Sequence, residues 1–172
     1  QFTGSTEVRV LHQVRAGYDA EAFAKDGGKI QNVIKSIAPN LTHFETAASP
    51  DPVELTGRST FQADVTPSAA NFQLVATLYD VDASGRKRYI TSGVTGVRGA
   101  STNRMSIAIT LADVSYVMPA GHSFRLELKN LHVREHPGNV HLYTAPFFSP
   151  YRVRIHIDGA SDPRLVLPLR AP

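Results

Sequence analysis

Alternation of apolar and polar residues at every second position constrains this chain more than any other feature. Phe124-Arg-Leu-Glu-Leu-Lys129 sets Phe124, Leu126 and Leu128 against Arg125, Glu127 and Lys129. Tyr151 to Ile157 repeats the scheme, with Tyr151, Val153, Ile155 and Ile157 opposite Arg152, Arg154 and His156. Met105 to Leu111 alternates likewise, and Phe72 to Tyr79 does so with both sides partly apolar. A period of two marks a half-buried strand, because successive side chains leave a pleated backbone on opposite faces. Shorter candidates are Val8–Val14, Leu41–Glu45, Val53–Val65, Tyr89–Val97, Val140–Tyr143 and Leu165–Leu169. Roughly ten strands with turn signals between them predict an all-β sandwich.

Helical periodicity is confined to the first forty residues. Asp19–Lys25 and Lys29–Ala38 read as short helices, the second through Ile30, Val33, Ile34 and Ile37 and stopped by Pro39. We expect residues 1–40 to form a strand and helical lead-in to the same domain as a sandwich over 41–172. At 172 residues the chain is long enough to bury a core without staples, close to ~70% of its unfolded surface. It has no cysteine, which excludes thiolate-held metal, a thiol nucleophile and dithiol redox chemistry but identifies no compartment. The net charge is +3, and the one dense basic run is Arg86-Lys87-Arg88, so no nucleic-acid partner is expected. No apolar stretch approaches the ~20 residues that span a bilayer, and no signal peptide leads the chain, so no membrane partner is expected. Gln1 opens the chain and its methionines are Met105 and Met118, as in a processed chain or excised domain.

Residues that carry chemistry were weighed against plainer roles. Asp80, Asp82, Ser84 and Gly85 fall in a D-x-D-x-S-G order like the front of a calcium loop. Counting from Asp80, the position that needs a bidentate Glu holds Thr91, and three cations follow Gly85. A hairpin explains the same letters: Leu74–Val81 and Tyr89–Val94 pair, Asp82 makes an Asx-turn, and Gly85 accepts positive φ. Asp80, Asp82 and Gly85 are therefore expected to be structural. His132, His136 and His141 have the count of a metal cluster. On a strand, however, four residues span about 13 Å, too far for His132 and His136 to share an ion. Gly121-His122-Ser123 lacks the frame of a nucleophile elbow, and no glycine loop opens a helix to cradle phosphate. No catalytic residue, metal or cofactor is predicted.

The run "VELTGRSTFQADVTPSAANFQLVATLYDVDASGRKRYITSGVTGVRG", Val53 to Gly99, resembles the C-terminal domain of X-Pro dipeptidyl-peptidase and cocaine-esterase type hydrolases. Leu55, Gly57, Leu74, Leu78, Asp80, Val81 and Gly85 stand at the places of that family's pattern. Pro119, Gly121, His122, Leu126 and Leu128 match its Pro-x-Gly-His stretch, and Ser161, Leu165, Leu167 and Pro168 match its close. The likeness runs from about Leu41 to Leu169. It implies a jelly-roll, galactose-binding-like β-sandwich that follows an α/β-hydrolase core, with the Ser-Asp-His machinery on that core. The implied partner is thus a catalytic domain of the same parent chain, and no family catalytic residue has a matching position here.

Three functions follow as expectations. The first is a non-catalytic accessory domain of a serine hydrolase acting on peptides or esters. The second is a carbohydrate-binding sandwich, for which Tyr143, Phe147, Phe148 and Tyr151 are the clustered aromatics. The third is a small metal-dependent enzyme built on His132, His136 and His141. Within the first, Pro146 and Pro150 interrupt backbone pairing around Phe147 and Phe148, whose adjacent rings do not both enter one core from an extended backbone. One of the pair, with Tyr143, is expected to face the hydrolase domain.

Overall fold

A computed structural model describes the backbone of residues 7–10, 42–129, 132–133, 140–141, 151–157 and 162–170, and the side chains of 43–128, 151–157 and 162–170. The described residues are all-β. Both predicted helices fall outside them.

Three antiparallel sheets build the body. In the first, β1 (Glu7–Val10) pairs with β12 (Tyr151–Ile155), and β12 pairs with β4 (Thr60–Pro67). β7 (Met105–Thr110) lies along the other edge of β4, and β13 (Arg164–Val166) takes the first half of the β12 edge. The second sheet runs β2 (Thr42–Glu45), β9 (Ser123–Lys129), β5 (Phe72–Val81), β6 (Lys87–Val97). The third is smaller: β14 (Leu169–Arg170), β3 (Val53–Gly57), β8 (Val114–Met118). Separately, β10 (His132–Val133) and β11 (Val140–His141) form a two-residue ladder.

The period of two explains which face each strand buries. Tyr151, Val153 and Ile155 are buried while Arg152 and Arg154 are exposed, and Ile107 and Ile109 are buried while Ser106 and Ala108 are exposed. Ile157 departs from the pattern: β12 ends at Ile155, and Ile157 is 39% exposed. The inward residues of all three sheets meet in one apolar cluster, so the sheets form a sandwich around a single core. Phe44 of β2 stacks on Phe61 of β4 across it, ring centroids 6.0 Å apart. Each such ring removed from water contributes about 1.5–3 kcal/mol.

β5 is buried on both faces. Phe72, Leu74, Ala76 and Leu78 enter the core, and Gln73, Val75 and Thr77 on the opposite face are buried too. Its polar members therefore need partners. The Tyr151 hydroxyl donates to Gln73 O (2.9 Å) and accepts from Gln73 N (3.2 Å). Burial raises the Tyr151 phenol to about 12 against the smaller opposing effect of its bond with Gln73.

The sequence reading ran Val53–Val65 as one strand. The structure breaks it at Gly57, whose φ of +113° is open to glycine but not to a residue with a Cβ, and the two pieces enter different sheets.

Candidate functional site

The polar centre of the described residues lies where the second and third sheets meet. Asp80 sits on β5 at the same parity as Leu74, Ala76 and Leu78, so its carboxyl points inward and is 3% exposed. β9 pairs beside it, with Phe124 opposite Asp80, which brings the residue preceding that strand, His122, within reach. His122 Nδ1 lies 2.7 Å from Asp80 Oδ1, and the Tyr116 hydroxyl of β8 donates to Asp80 Oδ2 at 2.5 Å. A carboxylate there accepts both bonds when Nδ1 carries the ring proton. The Arg88 guanidinium lies 5.6 Å from the Tyr116 ring centroid, adding a cation over the phenol's face. Burial, then the bond to Asp80, pushes the Tyr116 phenol up to about 12.

This group joins two sheets through one buried carboxyl. It also contains an Asp–His pair, the orienting half of a catalytic triad. The nucleophile is what it lacks: among the described residues the His122 ring bonds Asp80 and no serine or threonine hydroxyl. The neighbouring Ser123 donates instead to Glu45 (2.6 Å). Burial pulls the Glu45 carboxyl upward, but bonds from Ser123 and Arg125 outweigh it and hold it below the usual range.

The other residues singled out in the sequence are placed as follows. Asp82 closes the β5–β6 hairpin, its Oδ1 accepting from Ser84 Oγ (2.5 Å), Ser84 N (2.9 Å) and Arg86 N (3.0 Å). The bonds from Ser84 and Arg86 hold the Asp82 carboxyl far below the usual carboxylate range. Gly85 has φ +80°, with open space around a built Cβ. Gly85→Val is therefore expected to cost about 1–2 kcal/mol from backbone strain alone. Millimolar calcium is expected to leave the melting temperature unchanged. A calcium-dependent rise that disappears in Asp80→Ala would restore the metal reading.

His132 and His141 are register partners in the β10–β11 ladder, while His136 lies outside the described residues. Tyr143, Phe147 and Phe148 lie outside them as well. Tyr151, the fourth aromatic of the group, is a core residue engaged with Gln73 and offers no sugar platform. Sequence reasoning placed His122 in the family's Pro-x-Gly-His stretch without giving it a partner and did not single out Tyr116. A signal for both was present: a carboxyl at the inward parity of β5 demands buried partners.

A family model described as the X-Pro dipeptidyl-peptidase C-terminal non-catalytic domain matches residues 32–165. The chain belongs to that family. Solved structures share its fold. A CocE/NonD family hydrolase from Staphylococcus aureus superposes with a TM-score of 0.64 at 13% identity, covering 76% of this chain and 30% of that one. A selenomethionine-labelled alpha-amino acid ester hydrolase gives 0.61 at 15% identity, over 94% and 28%. An aminopeptidase from a marine sediment Thaumarchaeota archaeon gives 0.59 at 10%, over 79% and 27%. No curated protein matches the chain. The chain thus spans under a third of the length of each of these structures. Gly57, Asp80, Gly85 and His122, which carried the resemblance in the sequence, are a sheet-changing bend, a buried carboxyl, a hairpin turn and that carboxyl's partner.

Proposed function

We propose that this chain is the accessory sandwich of a serine hydrolase that cleaves X-Pro peptides or esters, packing on an α/β-hydrolase catalytic domain and shaping its entrance or assembly. The family match over residues 32–165 carries the reading. The shape of the solved relatives supports it, because this fold forms less than a third of larger chains titled as hydrolases or an aminopeptidase. The Asp80–His122 pair, joined by the Tyr116 hydroxyl, ties two sheets together, as a structural element does. Tyr143, Phe147 and Phe148 form the proposed contact with the catalytic domain.

The purified chain is expected to turn over neither an activated ester nor an X-Pro anilide. Turnover abolished by one Ser→Ala change would overturn the proposal. Phe147→Ser or Phe148→Ser should weaken association with a catalytic domain supplied in trans. Unchanged association in both would remove these rings from the contact.

A further inference from the structure

The solvent face of the first sheet carries a groove of about 400 Å³ lined by Gln62, Asp64, Ser106, Ala108, Asp162 and Arg164. Its cause is topological. β12 and β13 use different halves of one edge of β4, with Ile155 opposite Val65 and Arg164 opposite Gln62. Between those two pairings, among the described residues, His156 N donates to Asp64 O (2.9 Å). The small side chain of Ala108 keeps the neighbouring strand low.

Charge selects what fits there. Asp64 is already engaged by Arg104 Nε at 3.0 Å and Ser106 Oγ at 2.5 Å, and Asp162 is engaged as well. The side chains of Arg164 and Gln62 are exposed and make no hydrogen bond or ion pair with the described residues. Among the described side chains the uncommitted charge on this face is positive, so an oxyanion finds a guanidinium with an amide beside it. Among the described residues this face presents no Phe, Tyr or Trp on which bases or neutral sugar rings would stack. The carboxylates of Asp64 and Asp162 can accept hydrogen bonds from hydroxyls, which a sugar chain carries on each ring and a DNA backbone lacks.

We propose that this groove binds a carbohydrate bearing carboxylates, a uronic-acid chain. Arg164 takes a sugar carboxylate in its fork, the geometry in which arginine binds that group most strongly. The Gln62 amide and the Asp64 and Ser106 side chains take ring hydroxyls. The site is independent of the accessory-domain reading, because it lies on the sheet face and uses neither the aromatic loop nor the Asp80 group.

The test is calorimetric titration of the 172-residue chain with oligogalacturonate, beside a neutral malto-oligosaccharide and a single-stranded DNA oligomer. Saturable oligogalacturonate binding is expected, weakened roughly tenfold or more in Arg164→Ala and measurably in Gln62→Ala. Both side chains are exposed, so the melting temperatures of the variants should match the parent. If Arg164→Ala misfolds, Gln62→Ala reads the same groove. The proposal is overturned by absence of saturable binding, by equal binding of the neutral oligomer or DNA, or by oligogalacturonate binding that both variants leave unchanged.

Discussion

Gly93→Ala is expected to lower the stability of this domain by about 3 kcal/mol, a fall in melting temperature of roughly 6–12 °C for a chain of this size. Gly93 lies in β6 opposite Ala76 of β5. A Cβ built on it would stand 2.1 Å from Thr110 O, 2.7 Å from Thr110 C and 2.9 Å from Leu111 Cα. All three are backbone atoms, so no side-chain rotation relieves the clash. That backbone is also held in place. Leu111 N donates to Ser59 O (2.9 Å), Ala112 N to Ser92 O (3.0 Å), and Thr91 Oγ1 to Ala112 O (2.8 Å). Making room for one methyl group means breaking part of this set, each bond contributing about 1 kcal/mol, or prying β6 from the end of β7. The φ of Gly93 is not in the left-handed region, so the effect is steric and not torsional. A thermal melt followed by circular dichroism measures it. A loss below about 1 kcal/mol would mean that the two backbones separate easily.

Gly93 also shows where sequence reading stops. Its place in a strand is legible from the flanking alternation. The need for glycine there is not, because the atoms it would strike belong to residues far along the chain and reach it only once β6 lies against the β7–β8 connection. The same limit governs Asp80 and His122. Each strand is readable from its own period of two, and Asp80 even shares the inward parity of Leu74, Ala76 and Leu78. Which strand pairs beside β5 is a long-range fact, and without it the carboxyl has no visible partner. Local chemistry was readable in the opposite sense at Asp82, where Asp, Ser and Gly within four residues make a turn from their own hydrogen bonds. Gly57 falls between these cases. Its family motif was legible, but Val53–Val65 looked continuous because a bend that moves a strand between sheets leaves the alternation on either side intact.

Asp80→Ala is expected to cost about 3 kcal/mol, since it takes the shared acceptor from two half-buried partners at once. The Tyr116 hydroxyl loses its acceptor and His122 Nδ1 loses its carboxylate, and bonds to charged groups contribute about 1.5–3 kcal/mol each. The second and third sheets also lose a side chain that accepts from β8 and from the turn before β9 together. Tyr116→Phe should cost less, about 2 kcal/mol, because Asp80 Oδ2 loses its donor while Oδ1 keeps His122. If the two act as one unit, the double mutant should be less damaged than the sum, by about 0.5–3 kcal/mol. Titration supplies a readout that a general loss of packing would not reproduce. Folding raises the Tyr116 phenol to about 12, through burial first and the bond to Asp80 second, from an ordinary value of about 10. A raised phenol supports the folded state in full below pH ~10, and that support drains as pH climbs from 10 toward 12. Tyr151 also rises to about 12, but through its own burial, so it is unaffected by Asp80. The ultraviolet tyrosinate signal that Tyr116→Phe removes should therefore appear at lower pH in Asp80→Ala than in the parent. If that signal stays where it was, Asp80 does not hold the phenol, and the inter-sheet carboxyl is a packing feature alone.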